Sequence, residues 1–166
     1  MTVQENLLYG TGWPSKPSDR IGIVEEIMLL FRISALYNQR PHQCSGGEQQ
    51  RASVARALAS ATTADSITRP ILLLDEPFAG LEANLRCELL GDLQKWVNRW
   101  RIPVLSVTHD VAEAYQLDAE VIQIAEGRIV QQGPAPRVLA EERLRLLRQL
   151  GSAETPAPSS EPYLSG

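Results

Sequence analysis

Ile71-Leu72-Leu73-Leu74-Asp75-Glu76-Pro77 is the stretch that decides the fold class. Four uninterrupted apolar residues ending in two acids and a proline suit a strand buried on both faces of a parallel sheet. In such sheets ligands bind beyond the carboxyl ends of the strands, which is where Asp75 and Glu76 fall. Adjacent carboxylates there can divide labour, Asp75 ordering a Mg²⁺ shell and Glu76 polarising an attacking water. A strand that merely ends in solvated acids before a proline turn fits this stretch equally well.

Toward the C-terminus, Glu82 to Trp100 reads as an amphipathic helix with Leu85, Leu89, Leu93, Trp96, Val97 and Trp100 on one side. Val104 to Thr108 is a second buried strand, ending at His109, and Asp110 caps a short helix to about Leu117. A histidine at that strand end suits a hydrogen bond to a phosphate or to a water, although a lone histidine is more often structural. Val121–Ile124 and Arg128–Gln132 flank Glu126-Gly127, a two-residue hairpin turn. Pro134 opens a final helix through Leu139, Leu144, Leu147 and Leu150, stopped by Gly151. Residues 152–166, rich in Pro and Ser, read as a disordered tail.

Toward the N-terminus the chain is all helical. Thr2 and Glu5 form a capping box for a helix to Gly10, and Thr11–Ser18 is a loop. From Asp19 the residues Ile21, Val24, Ile27, Met28 and Phe31 recur at helical spacing. After a turn through Asn38 and Pro41, Ser45-Gly46-Gly47-Glu48 opens a helix to about Ala59, and Ser60–Arg69 is a polar loop. A helix start presents unpaired N–H groups and a partial positive charge, and two glycines let a phosphate approach that backbone. Ser45 and Glu48 also satisfy a plain capping box, with no ligand at all. These boundaries divide the chain into a helical subdomain (1–60), an α/β part (61–150) and the tail (151–166).

Composition narrows the function. With 43% hydrophobic residues in 166, the chain has material for a core, and a net charge of −4 with 5% aromatics argues against a nucleic-acid surface. Cys44 and Cys87 lack paired spacing, so neither a disulfide framework nor a zinc site is expected. The richest apolar stretch, Ile21 to Phe31, is interrupted by Glu25 and Glu26, so no direct membrane span is expected.

The order of these pieces resembles the ATP-binding subunits of ABC transporters. Cys44-Ser45-Gly46-Gly47-Glu48-Gln49-Gln50-Arg51 is similar to the family's signature, usually begun by Leu, and Leu72–Pro77 is similar to Walker B with the catalytic Glu. Ala79-Gly80-Leu81-Glu82 resembles the D-loop and Val107-Thr108-His109-Asp110 the H-loop. Glu126–Val130 with Gly133 resembles the hairpin that follows. Met1–Asn6 is similar to the segment after the Q-loop in importers, particularly the molybdate and sulfate group.

The resemblance implies an incomplete P-loop NTPase fold: a parallel sheet core with an all-helical signature subdomain. It implies ATP and Mg²⁺ as ligands, with Glu76 and His109 catalytic and Asp75 on the metal through water. Ser45, Gly46, Gly47 and Glu48 would bind nucleotide in trans, across a head-to-tail dimer with a second ATPase subunit. It implies membrane permease subunits as further partners and a cytoplasmic location on the inner face of the membrane. Cys44 replaces the usual Leu, Glu48 stands where Gln is common, and Glu82 replaces the D-loop Asp.

Walker A needs Gly-x-x-x-x-Gly-Lys-Ser/Thr, and neither of the two lysines, Lys16 and Lys95, sits in such a context. Walker A and the Q-loop would precede Met1, so the isolated chain is expected to be inactive. Three readings stay open: an ATPase subunit powering solute transport, a non-hydrolysing partner lending its signature in trans, or an inert truncated product.

Overall fold

The computed structural model describes residues 1–12, 17–64 and 70–151. The elements are α1 (Val3–Gly10), α2 (Pro17–Leu30), two 3-10 turns (Ser34–Leu36 and Pro41–Gln43), α3 (Gly46–Thr63), β1 (Leu72–Asp75), α4 (Ala83–Trp100), β2 (Val104–Val107), α5 (Val111–Gln116), β3 (Glu120–Ala125), β4 (Arg128–Pro134), α6 (Ala135–Val138) and α7 (Ala140–Gly151). They form two compact units, Met1–Leu117 and Asp118–Gly166. The first therefore joins the helical stretch to both parallel strands. The expected tail, residues 152–166, and parts of two expected loops, 13–16 and 65–69, lie outside the described residues.

Local capping chemistry sets the helix starts. The Thr2 hydroxyl accepts from the Glu5 N–H at 3.2 Å while the Glu5 carboxylate accepts from the Thr2 N–H at 2.8 Å. Helix α2 begins at Pro17 rather than Asp19, since proline is already set for a first helical turn. Helix α3 runs to Thr63, past the expected end at Ala59. Its last turn is held by burial of Ala59, Ala61 and Thr62, and the Thr62 hydroxyl accepts from the Trp96 indole N–H at 2.9 Å. Tertiary packing here overrides a polar stretch that reads as loop.

The core of the first unit lies among these helices. Val24, Ile27, Phe31 and Leu58 are fully buried, and the Phe31 ring lies 6.5 Å from Phe78, which follows β1. Helix α4 buries Leu89, Leu90, Leu93 and Trp96, while Trp100 stacks on Trp96 but stays 38% exposed.

β1 and β2 pair in parallel, joined through α4. The expectation of burial on both faces fails. Leu72 and Leu74 are buried, but Ile71 and Leu73 are 56% and 64% exposed, and Leu105 and Val107 on β2 are 54% and 59% exposed. Among the described residues this sheet has two strands, and those residues leave one of its faces largely bare.

In the second unit β3 and β4 form the expected antiparallel hairpin, with Glu126 and Gly127 both at positive φ as a tight two-residue turn requires. The single final helix is instead two. Helix α6 buries Ala135 and Val138, and the break falls at the buried Leu139, whose backbone leaves helical geometry before α7 begins.

Candidate functional site

The register from Leu72 opposite Val104 to Asp75 opposite Val107 finishes both strands side by side. The Glu76 N–H donates to the Val107 carbonyl at 2.8 Å, extending the ladder by one step. The chain then turns sharply, with Glu76 at φ +45°, and the Glu76 carbonyl accepts from the Ala79 N–H at 3.2 Å. A left-handed backbone costs a non-glycine residue about 1–2 kcal/mol, so such a turn persists only where its surroundings hold it. The buried side chains of Pro77 and Phe78 anchor it in the core.

That turn delivers the Glu76 carboxylate to the end of β2. One of its oxygens accepts from the His109 N–H at 3.1 Å and lies 2.6 Å from His109 Nδ1. The hydrogen bond to Glu76, and then the charge of Glu76, raise the His109 pKa above the usual histidine value, with smaller contributions from Asp110 and Glu113. The ring itself is largely exposed. Asp75 is exposed at the end of β1. The two strand-end acids and the strand-end histidine expected from the sequence thus share one edge of the sheet.

Behind His109, Asp110 caps α5 by accepting from the Ala112 N–H at 2.8 Å, and it pairs with Arg86 of α4 at 2.8 Å. Glu113, one turn into α5, is only 4% exposed, and burial raises its pKa against the opposing hydrogen bond from Thr108. Sequence reasoning missed Glu113 and Arg86, because a glutamate or arginine inside a helix carries no local mark of burial.

The start of α3 carries the remaining site residues expected from the sequence. Ser45 and Gly46 are exposed. The Ser45 N–H and hydroxyl each donate to the Glu48 carboxylate at 2.8 Å, and the Glu48 N–H donates back to the hydroxyl at 3.4 Å. These bonds, from the Ser45 backbone first and its hydroxyl second, lower the Glu48 pKa. The Ser45 groups that the sequence offers to an anion are engaged by Glu48 in the capping box. A methyl group on Gly47 would lie 3.1 Å from Leu81, so glycine there allows α3 to approach the Ala79–Glu82 loop closely. Gly80 in that loop takes φ +74°, and Glu82 precedes α4 without a side-chain cap bond. One further bond was not anticipated: the Gln50 side-chain amide donates to the Glu76 carbonyl at 2.8 Å and ties α3 to the strand-end turn.

Among the described residues no cluster of three His, Cys, Asp or Glu could hold a metal by itself. One exposed carboxylate such as Asp75 nevertheless suits Mg²⁺, which keeps most of its ligands from water and substrate phosphates. No described helix is long and apolar enough to cross a membrane.

Comparison with known proteins shows which family the chain resembles. Residues 1–79 match the ABC transporter family model. The chain is 34% identical over 147 residues to the molybdenum import ATP-binding protein ModC of Mesorhizobium japonicum, covering 89% of this chain and 37% of that one. It is 35% identical over 142 residues to the sulfate/thiosulfate import ATP-binding protein CysA of Synechocystis, covering 83% and 37%. The chain thus spans little more than a third of these relatives. Among solved structures, cbiO1 of Clostridium perfringens, part of an ABC transporter complex, superposes with a TM-score of 0.67 at 26% identity, over 93% of this chain and 61% of that one. A dimeric bacterial ABC transporter cassette matches at the same TM-score and 24% identity, over 81% and 57%, a likeness of fold. By sequence and by fold, this chain belongs to the ABC transporter ATP-binding family.

Proposed function

We propose that these residues form the signature and Walker B portion of an ATP-hydrolysing subunit that powers import of a small solute, of the inorganic-anion kind its relatives are named for. The observation that carries the reading is the 2.6 Å pair of Glu76 and His109 beside Asp75, at the ends of two parallel strands. Glu76 is the group that polarises the attacking water. His109, whose Nδ1 is engaged by Glu76, offers Nε2 as a donor to a phosphate oxygen, and the raised pKa of its ring favours the doubly protonated form. Asp75 would hold Mg²⁺ through water, and the ion when bound would supply neutralisation of phosphate charge.

The α3 start, with Ser45, Gly46 and Gly47, faces the triphosphate of a second ATPase subunit in a head-to-tail pair, and the Ala79–Glu82 loop lies at the same junction. Permease subunits hold the pair at the inner face of the membrane. The phosphate-gripping Gly-x-x-x-x-Gly-Lys-Ser/Thr loop is supplied from outside these 166 residues, since none of them forms it.

A second reading is favoured by the exposure of Ser45 and Gly46: the chain lends its signature to an intact subunit without hydrolysing ATP itself. One experiment addresses both. Calorimetric titration of the chain alone with Mg·ATP should show no tight binding. Mixing with an intact homologous subunit should change that subunit's rate of phosphate release, and Ser45→Arg should abolish the change. Tight binding by the chain alone contradicts the first reading, and an unchanged partner rate ends the second.

A further inference from the structure

We propose that Gln50 is a positioning residue: its side-chain amide holds the carbonyl of Glu76 and ties the nucleotide-facing start of α3 to the carboxylate at the strand tip. The proposal rests on the reading that Glu76 acts on water.

The Glu76 carbonyl has two lone pairs, and both are used. Ala79, inside the same turn, donates to one at 3.2 Å and moves wherever the turn moves. Gln50 donates to the other at 2.8 Å from a different element, across a sequence separation of 26 residues. Of the two, only the Gln50 bond fixes the turn relative to a rigid helix. It matters because Glu76 adopts φ +45°, a conformation that L residues leave unless they are held. Releasing the carbonyl removes one hold on this backbone, leaving the Glu76 N–H bond to Val107 and the buried Pro77 and Phe78, and the remaining freedom shifts the carboxylate that meets His109 through Nδ1 and the backbone N–H.

A second link joins the same two elements. Gly47, in the first turn of α3, lies against Leu81 closely enough that a methyl group would sit 3.1 Å from its side chain. The helix start and the 76–82 loop therefore touch at a polar and an apolar point. A shift of α3 when Ser45, Gly46 and Gly47 engage an anion is passed through packed, hydrogen-bonded atoms to the backbone of Glu76.

The test uses the full chain and the titration of His109, followed by NMR of its ring protons; there are two histidines, and a His42→Gln background removes the other. The raised pKa of His109 reports how closely Glu76 sits. Gln50→Met keeps the volume, adds no charge and removes the donor, and the His109 pKa should fall toward the ordinary histidine value. Thr62→Val weakens the far end of α3 by removing the bond from Trp96 and should leave the His109 titration where it was, even if the melting temperature drops. Glu76→Gln should also lower the His109 pKa. If Glu76→Gln lowers it and Gln50→Met does not, the proposal is overturned while the assignment of Glu76 stands. If neither variant moves it, the Glu76–His109 pair is absent in solution, and both fail. A shift in Thr62→Val equal to that in Gln50→Met reduces Gln50 to a general stabiliser and likewise overturns the proposal.

Discussion

The helical region and the parallel strand pair both carry runs of apolar residues, and they are covered to different extents. Val24, Ile27, Phe31 and Leu58 have no exposed surface, whereas Leu73 and Val107 keep 64% and 59% of theirs. A helix has one apolar stripe to hide, and α1, α2 and α3 hide theirs against one another and against α4. A strand in a parallel pair has two faces, and among the described residues the helices cover one. The stability of the first unit should accordingly reside in the helices. The most severe test is Phe31→Ala, which removes a fully buried ring stacked near Phe78 and should cost about 3–5 kcal/mol of unfolding free energy. Urea denaturation showing a loss below about 1 kcal/mol would mean that the helical core is looser than its burial implies.

A smaller effect is expected where a charge is buried at the strand tips. Glu113 is held above the ordinary glutamate value of 4.5, by burial first, with Asp110 and Glu76 adding to the shift and Thr108 and Arg86 opposing it. The sign follows directly. A folded pKa above the unfolded one gives stability that is fully present below about pH 4.5 and lost as pH rises through the folded value. At neutral pH the ionised carboxylate therefore weighs against folding. Glu113→Gln keeps a hydrogen-bonding group beside Thr108 and removes the charge, so it should raise the melting temperature at pH 7, with the gain shrinking on acidification. A gain that grows on acidification would reverse the assigned direction.

Whether a feature could be read in the sequence depends on how local its cause is. The capping boxes at Thr2 and Ser45 need only residues three apart, and both form as expected. The hairpin turn at Glu126-Gly127 is local in the same way. The strand-end placement of Glu76 and His109 was legible because each follows a short apolar run of strand length. What escaped was long-range. The extension of α3 to Thr63 depends on Trp96, the burial of Glu113 on the packing of α5, and the Gln50–Glu76 bond on two elements meeting. The exposed face of β1 escaped for a different reason. An apolar run states that a strand is built to be covered, and it does not state which polypeptide covers it.

The smallest expected effect bears most directly on that last point. Leu72 and Leu73 are adjacent and identical in type, yet one is 3% and the other 64% exposed. Replacing each with Thr imposes the same change in propensity and volume on opposite faces of one strand, so the difference between the two variants isolates burial from everything else. Leu73→Thr should alter stability by no more than about 0.5 kcal/mol, whereas Leu72→Thr, which puts a hydroxyl into the covered face, should cost roughly 2 kcal/mol or more. Binding of a hydrophobic dye should fall in the first variant and not in the second, because only the first removes apolar surface that water already touches. Equal losses of stability would show that both faces are covered in solution, with a second copy of the chain or another polypeptide segment lying on the bare face.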